Sequence, residues 1–167
     1  MQKIVKSKTL QEIQPNTDYF GCCFYLKNVE PDKFESCNFD NCSFRGESLS
    51  VDLSSRRLKK IPEWVFEISS LENLSLNDNR ISKIPKRMGQ LSSLKDLDLR
   101  NNKISEFPRE FGQLSSLECL FLNNNQMSKI PREFAQLSSL QKLILNNNKI
   151  SELPKEFSLF FKKSVPK

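Results

Sequence analysis

The sequence predicts an α/β right-handed solenoid, a horseshoe arc with a parallel sheet on its concave side and short helical or 3₁₀ arms on its convex side. Pro62, Pro85, Pro108, Pro131 and Pro154 recur every 23 residues, an interval that only a repeating architecture sustains four times in succession. On the same period, Leu71, Leu94, Leu117 and Leu140 open the segments LENLSLNDNRI, LKDLDLRNNKI, LECLFLNNNQM and LQKLILNNNKI. These are one pattern, LxxLxLxxNxI, four times in register. No Gly- or Ser-rich stretch separates the periodic segments of the 167-residue chain, so a single continuous body is expected.

The chain begins on a different rhythm. From Tyr19 the apolar residues fall at every fifth position, through Phe24, Val29, Phe34, Phe39, Phe44 and Leu49, a period that belongs to neither helix nor strand. This stretch, with CNFDNCSF as its clearest part, resembles the pentapeptide repeat over residues 17–49. The resemblance implies a square right-handed β-helix with the central Phe or Leu inside and a small residue two positions earlier. Thr17, Cys22, Cys37 and Cys42 fill the small site, while Lys27, Asp32 and Glu47 depart from it. The chain therefore divides into an N-terminal cap at 1–47, with the pentapeptide-like coil from about residue 17, and a solenoid of about five coils with a short tail at 48–167. A terminal repeat needs such a cover for its exposed core.

The first coil is imperfect. In SLSVDLSSRRL, Val51 and Leu53 hold the strand positions, whereas Ser48 and Arg56 replace the leading Leu and the Asn. In each later coil the alternation of a short strand sends Leu74, Leu76 and their equivalents inward and the residues between them outward. Asn79, Asn102, Asn125 and Asn148 fall where the chain leaves the strand. Their amides are expected to form a buried ladder on backbone groups of the bend and of the next coil. Ile81, Ile104, Met127 and Ile150 re-enter the core, and the prolines open the return arms, where a missing N–H costs little. Met88, Phe111, Phe134 and Phe157 form a second apolar spine, with Leu91, Leu114, Leu137 and Phe160 three positions further on. One coil buries too little to offset its own ordering entropy, so stability comes from stacking.

Residues 48–161, on these motifs, resemble the leucine-rich repeat proteins, specifically the short class with IP in the return arm, similar to plant intracellular and bacterial members. The resemblance implies a noncatalytic module that recognises a protein partner, in bacterial members often at host proteins or surfaces. Plant intracellular members imply the alternative, a signalling adaptor or scaffold.

Catalysis has little to work with. The chain has no histidine, which removes histidine general bases and histidine metal ligands. Of five cysteines, Cys22, Cys23, Cys37, Cys42 and Cys119, none forms a CxxC pair, so structural thiols are expected and no metal or cofactor. Cys119 alone faces outward from the strands, and a thiolate beside Lys95 or Lys142 would support a third reading, a thiol-dependent enzyme. No base or oxyanion site accompanies it. No apolar run is long enough to cross a bilayer, and MQKIVKSKTLQEIQPN lacks the apolar core of a secretory signal. The expected location is the cytoplasm, or outside the cell by a route without a recognisable signal peptide.

A concave binding face remains. Its outward positions run Ser50, Asp52, Ser54; Asn73, Ser75, Asn77; Asp96, Asp98, Arg100; Cys119, Phe121, Asn123; and Lys142, Ile144, Asn146. Phe121 beside Ile144, with Cys119 adjoining, is an apolar spot that the repeat pattern does not require. The expected partner-binding set is Asp96, Asp98, Arg100, Cys119, Phe121, Asn123, Lys142, Ile144 and Asn146. The net charge is +6, yet this face carries more carboxylates than cations, so no nucleic-acid partner is expected. The cations stand in two columns instead, Arg57, Arg80, Lys103 and Lys149 after the Asn site and Lys86, Arg109, Arg132 and Lys155 after the prolines. Solvation explains such columns by default; an acidic protein or an anionic membrane is the rival. At the C-terminus, FSLFF either folds over the last core, leaving a monomer, or pairs two chains tail to tail.

Overall fold

The computed structural model describes residues 48–152 without a break and, ahead of them, residues 3–6, 9–10, 13, 17–20, 23–25, 31–32, 37–40 and 42–45. The expectations for Cys22, Val29, Phe34, Pro154, Lys155, Phe157, Phe160 and the FSLFF tail lie outside the described residues.

Five parallel strands form the main sheet in the order β11-β10-β9-β8-β7. They are β7 (Leu49–Asp52), β8 (Leu71–Ser75), β9 (Asp96–Asp98), β10 (Cys119–Phe121) and β11 (Lys142–Ile144). Between them lie four 3₁₀ arms, η1 (Glu63–Glu67), η2 (Lys86–Gln90), η3 (Arg109–Gln113) and η4 (Arg132–Gln136). Sequence neighbours pair throughout, so each strand, arm and return is one coil. This is the leucine-rich repeat solenoid that the 23-residue phase predicts.

Strand and arm each follow from their residues. Leu74, Leu97 and Leu120 share one register and are buried, as are Leu76, Leu99 and Leu122 two positions on. In the last described coil, Leu143 and Leu145 are only half-buried, because β11 is the edge of this sheet among the described residues. Pro62, Pro85, Pro108 and Pro131 each stand just before an arm in extended backbone, at φ between −75° and −60°, the value the pyrrolidine ring imposes. The arms are 3₁₀ because each closes on three-residue bonds such as Met88 N–H to the Pro85 carbonyl at 3.1 Å. Met88, Phe111 and Phe134 are fully buried beneath them, with Leu91, Leu114 and Leu137. Phe107 adds an aromatic cluster that the spacing did not suggest, edge-on to Phe111 at 4.7 Å and to Phe134 at 5.1 Å.

The asparagine ladder is present with its direction reversed. Asn102 Nδ2 donates to the Leu76 carbonyl at 2.9 Å, and its Oδ1 accepts from Ile81 N–H at 3.0 Å. Both partners belong to the preceding coil, not the next. Asn125 repeats this on Leu99 and Ile104, and Asn148 on Leu122 and Met127. Asn79 takes the same role for the first coil, where it accepts from Arg56 and Leu58 N–H. The reach is backward because the side chain leaves the strand end toward the coil already laid down, whose bend has unpaired groups.

A second ladder runs beside it on the surface. Asp78, Asn101, Asn124 and Asn147 all have positive φ, between 54° and 59°, a conformation that Asn and Asp tolerate better than other side chains. Asn101 donates to Asp78 at 2.7 Å, Asn124 to Asn101 at 2.6 Å and Asn147 to Asn124 at 2.7 Å.

The first coil corrects one expectation. Leu49, not Ser48, stands opposite Leu71, and the register then slips so that Ser50 faces Asn73. Leu49 is 1% exposed while Ser48 is exposed at φ 49°. Burial of a leucine outweighs strict spacing here.

Ahead of the main sheet are two more parallel sheets, β1-β3-β5 and β2-β4-β6. Their strands are β1 (Lys3–Lys6), β2 (Thr9–Leu10), β3 (Thr17–Phe20), β4 (Cys23–Tyr25), β5 (Asn38–Asp40) and β6 (Ser43–Arg45). Asp18 faces Asn38 and Cys23 faces Ser43, an offset of four fives. The first strands begin at Lys3, earlier than the five-residue rhythm, and Lys3 faces Thr17 at a shorter offset. Ile13 and Tyr19 belong to the same buried cluster as Leu49, with Cys37 and Cys42 packed against it half-buried.

Candidate functional site on the concave sheet

The outward side chains form columns because the strands pair without slippage from β8 to β11. Ser50, Asn73, Asp96, Cys119 and Lys142 share one register, and Asp52, Ser75, Asp98, Phe121 and Ile144 the next. Neighbours in a column stand about 5 Å apart. The ladder continues through Leu99 N–H to the Phe121 carbonyl and Asn101 N–H to the Asn123 carbonyl, which carries Arg100, Asn123 and Asn146 into a third column.

Phe121 is half-buried and directly faces Ile144, also half-buried. Two cations flank its ring, Lys142 Nζ at 5.0 Å from the centroid and the Arg100 guanidinium at 5.6 Å. The ring quadrupole attracts both. Arg100 is held in turn by Asp98, with Nη2 to Oδ2 at 2.6 Å and Nε to both oxygens at 3.0 Å. Asn77 donates to the same carboxylate at 3.2 Å. The Asp98 charge is thereby matched within the face, and Lys95 is matched by Glu72 at 3.1 Å.

Among the described residues neither Asp52 nor Asp96 makes an ion pair. The Ser54 hydroxyl and backbone N–H hold the Asp52 carboxyl below its usual range, and Arg56 stands near enough to help lower its pKa. Cys119 shows the opposite shift. Burial, and then the hydrogen bond and negative charge of Asp96, push its thiol up, and the opposing pull of Lys142 is smaller. The thiolate that a nucleophilic role needs is therefore disfavoured. Lys95, one of the two cations expected beside Cys119, is engaged by Glu72 instead. Among the described residues no group of three acidic, Cys or His side chains converges on a metal position, and no helix is long and apolar enough to cross a membrane.

A groove of about 540 Å³ opens on this face, lined by Asp52, Ser75, Asp96, Asp98 and Phe121 with Ser50, Asn73, Val51, Leu74, Ser48 and Pro31. Of the expected set, Asp96, Asp98 and Phe121 line it. Arg100, Cys119, Asn123, Lys142, Ile144 and Asn146 lie on the same face or its edge, outside the lining. The groove sits over the first coils, where outward side chains are Ser, Asn and Asp, and it ends where Phe121 rises. Side-chain size along the columns was the available signal; weighting apolar character over size missed Ser50, Asp52, Asn73 and Ser75.

Comparison with known proteins gives a consistent result. A family model described as leucine-rich repeat region matches residues 63–156. No curated protein sequence matches the chain. Among solved structures, a leucine-rich repeat protein of Leptospira interrogans is 32% identical over 64% of this chain and 33% of its own, with a TM-score of 0.56. The BIR2 ectodomain of Arabidopsis thaliana is 34% identical over 64% of this chain and 59% of its own, TM-score 0.56. A chain of the Arabidopsis thaliana BIR3–SERK2 complex is 33% identical over 66% of this chain and 62% of its own, TM-score 0.58. The chain thus spans less than two thirds of the length of each. The repeat phase, the asparagine ladder and a family match over more than half of its length establish that the chain belongs to the leucine-rich repeat proteins.

Proposed function

We propose that the protein is a noncatalytic recognition module whose concave groove takes an extended segment of a partner protein. The carrying observation is the groove itself, floored by the sheet and stopped at one end by Phe121. Phe121 would serve as an apolar anchor, with Ile144 and Cys119 beside it, while Asp52 and Asp96 would meet a cationic group of the segment. Arg100, Asn123, Lys142 and Asn146 would then frame the anchor as a polar rim. The BIR3–SERK2 assembly, formed by a relative of similar fold, supports a protein as the ligand class.

The same reading includes an N-terminal cap over 1–47 of pentapeptide-like character, supported by the 20-residue offset between Asp18 and Asn38, and a solenoid of the IP class over 48–167. It includes a monomer acting in the cytoplasm or outside the cell, and by resemblance a bacterial host-interaction role. An adaptor that uses both faces is the rival function. Affinity capture tests the reading with two baits, Phe121→Ser, which removes the anchor, and Ser75→Arg, which fills the groove. A protein retained by wild type and by a convex control, Lys86→Ser, but lost by both baits is the expected result. Equal recovery on every bait refutes the groove, and loss on Lys86→Ser as well favours the adaptor.

A further inference from the structure

The cations of the solenoid are sorted by partner. Lys86, Arg87, Lys95, Arg100 and Arg132 each have a carboxylate within 3.5 Å. Lys142 lies on the Phe121 ring, and Arg109 stands near enough to Glu133 to help lower its pKa. The remaining cations of residues 57–152 are exposed and make no ion pair among the described residues. All fall on one flank, between the asparagine ladder and the prolines.

Stacking makes that flank regular. Arg80 N–H donates to the Leu58 carbonyl at 2.8 Å, Lys103 to Ile81 at 2.9 Å, Gln126 to Ile104 at 2.9 Å and Lys149 to Met127 at 2.8 Å. One column therefore reads Arg57, Arg80, Lys103, Gln126, Lys149 and contains no carboxylate. Three positions on, the column reads Lys60, Lys83, Glu106, Lys129, Glu152, with Lys83 bridged to Glu106 and Lys129 to Glu152. Between the columns stand Lys59 and the exposed Ser82, Ser105, Ser128 and Ser151. Ile81, Ile84, Ile104, Met127 and Ile130 point inward and are buried.

Like charges on adjacent coils cost stability, and the four cations of the first column have no ion-pair partner among the described residues, so an external anion would relieve that cost. We propose that this flank docks the solenoid onto an anionic lipid surface. A single nucleic acid strand would be gripped through stacked aromatics, and the aromatic of this flank, Phe107, is half-buried against Phe111 and Phe134; a duplex, held through its phosphates, is the competitor in the test. A folded acidic protein would need an apolar anchor at its centre, and the centre of the strip carries Lys59 and four serines. Lipid headgroups are contacted by clustered Lys and Arg with neither feature. At about 4.8 Å per coil the row is roughly 19 Å long, enough to span several headgroups. It also leaves the concave groove, on another face, open while docked.

The test is sedimentation of the full chain with phosphatidylcholine vesicles, with and without phosphatidylserine. Wild type should partition onto the phosphatidylserine vesicles alone and come off at high salt. Arg80→Glu with Lys103→Glu should reduce partitioning by at least about tenfold, from the contribution of each cation near such a surface. Lys86→Glu with Arg132→Glu, the same change in net charge at paired cations, should stay within about twofold by the same reasoning. Circular dichroism checks folding, and Arg80→Gln with Lys103→Gln serves if the reversed pair does not fold. The proposal is overturned if wild type ignores the vesicles, if both double variants lose equally, or if duplex DNA is bound in preference to them.

Discussion

Replacing Asn102 with alanine tests the ladder that joins the coils. The side chain is 8% exposed and serves four backbone groups. These are Ile81 N–H at 3.0 Å and the carbonyls of Leu76 at 2.9 Å, Leu99 at 3.2 Å and Arg100 at 3.1 Å. The carbonyls are not orphaned by its loss, since Leu76 also accepts from Asn79, Leu99 from Asn125 and Arg100 from Asp78 N–H. The amide of Ile81 has no such reserve among the described residues. Stranding it costs about 2 kcal/mol, and the three weakened carbonyls add about 0.5–1 kcal/mol each, for a total of about 4 kcal/mol. Asn101→Ala is the matched control, an exposed residue at φ 54° whose two side-chain bonds, to Asp78 and from Asn124, lie where water can replace them, so that alanine in left-handed backbone costs about 1 kcal/mol. Urea unfolding followed by far-ultraviolet circular dichroism gives both values. The single tryptophan, Trp64 in η1, reports separately on the first coil. A gap of about 3 kcal/mol between the variants is expected from those two figures. A gap below about 1 kcal/mol would mean that water replaces the amide at little cost and that the ladder does not bind the coils.

Two further predictions concern packing and the thiol. A methyl group on Gly89 would collide head-on with the Glu110 carbonyl of the next arm, whose carbon lies 2.9 Å from the added atom, whereas at Gly112 the nearest obstacle is the movable Gln136 side chain, with the Glu133 carbonyl oxygen behind it at 2.9 Å. Gly89→Ala should therefore lower the urea midpoint more than Gly112→Ala, by an amount equivalent to about 1–3 kcal/mol. Cys119, its thiol pushed up mainly by burial and then by Asp96, should be alkylated by iodoacetamide more slowly than an unperturbed thiol at pH 8. Asp96→Asn removes one raising influence and should speed the reaction, read by peptide mass spectrometry. An unchanged rate would remove Asp96 from the explanation.

The scaffold was legible because its signals are periodic. Pro85 and Pro108 fixed the phase, Leu74 and Leu97 the inward strand positions, and Asn102 the place of the ladder. What sequence reasoning missed depends on three-dimensional reach. Asn102 turns toward the preceding coil because the open backbone groups are there, and spacing alone cannot state a direction. Leu49 displaced Ser48 opposite Leu71 because burying a large apolar side chain outweighs a one-residue slip at the first strand. For the site, alternation correctly put Asp96, Asp98 and Phe121 outward in adjoining columns. The groove escaped notice because it is a deficit of volume above Ser50, Asn73 and Ser75, and a search for sticky residues passes over small ones.

The surface row from Asp78 to Asn147 has a grammar of its own. An amide both gives and receives, so each asparagine can hand the chain of bonds onward, whereas an ionised carboxylate only receives. Asp78 is thus a stopper, and the first coil, with Ser55 at the equivalent site and φ 57°, adds no amide to it. Among the described residues no donor is bonded to the Asn147 oxygen. Whole units could be spliced in after Asn101 or Asn124 without altering either terminus of the row, so the array can lengthen by duplication while its beginning stays marked.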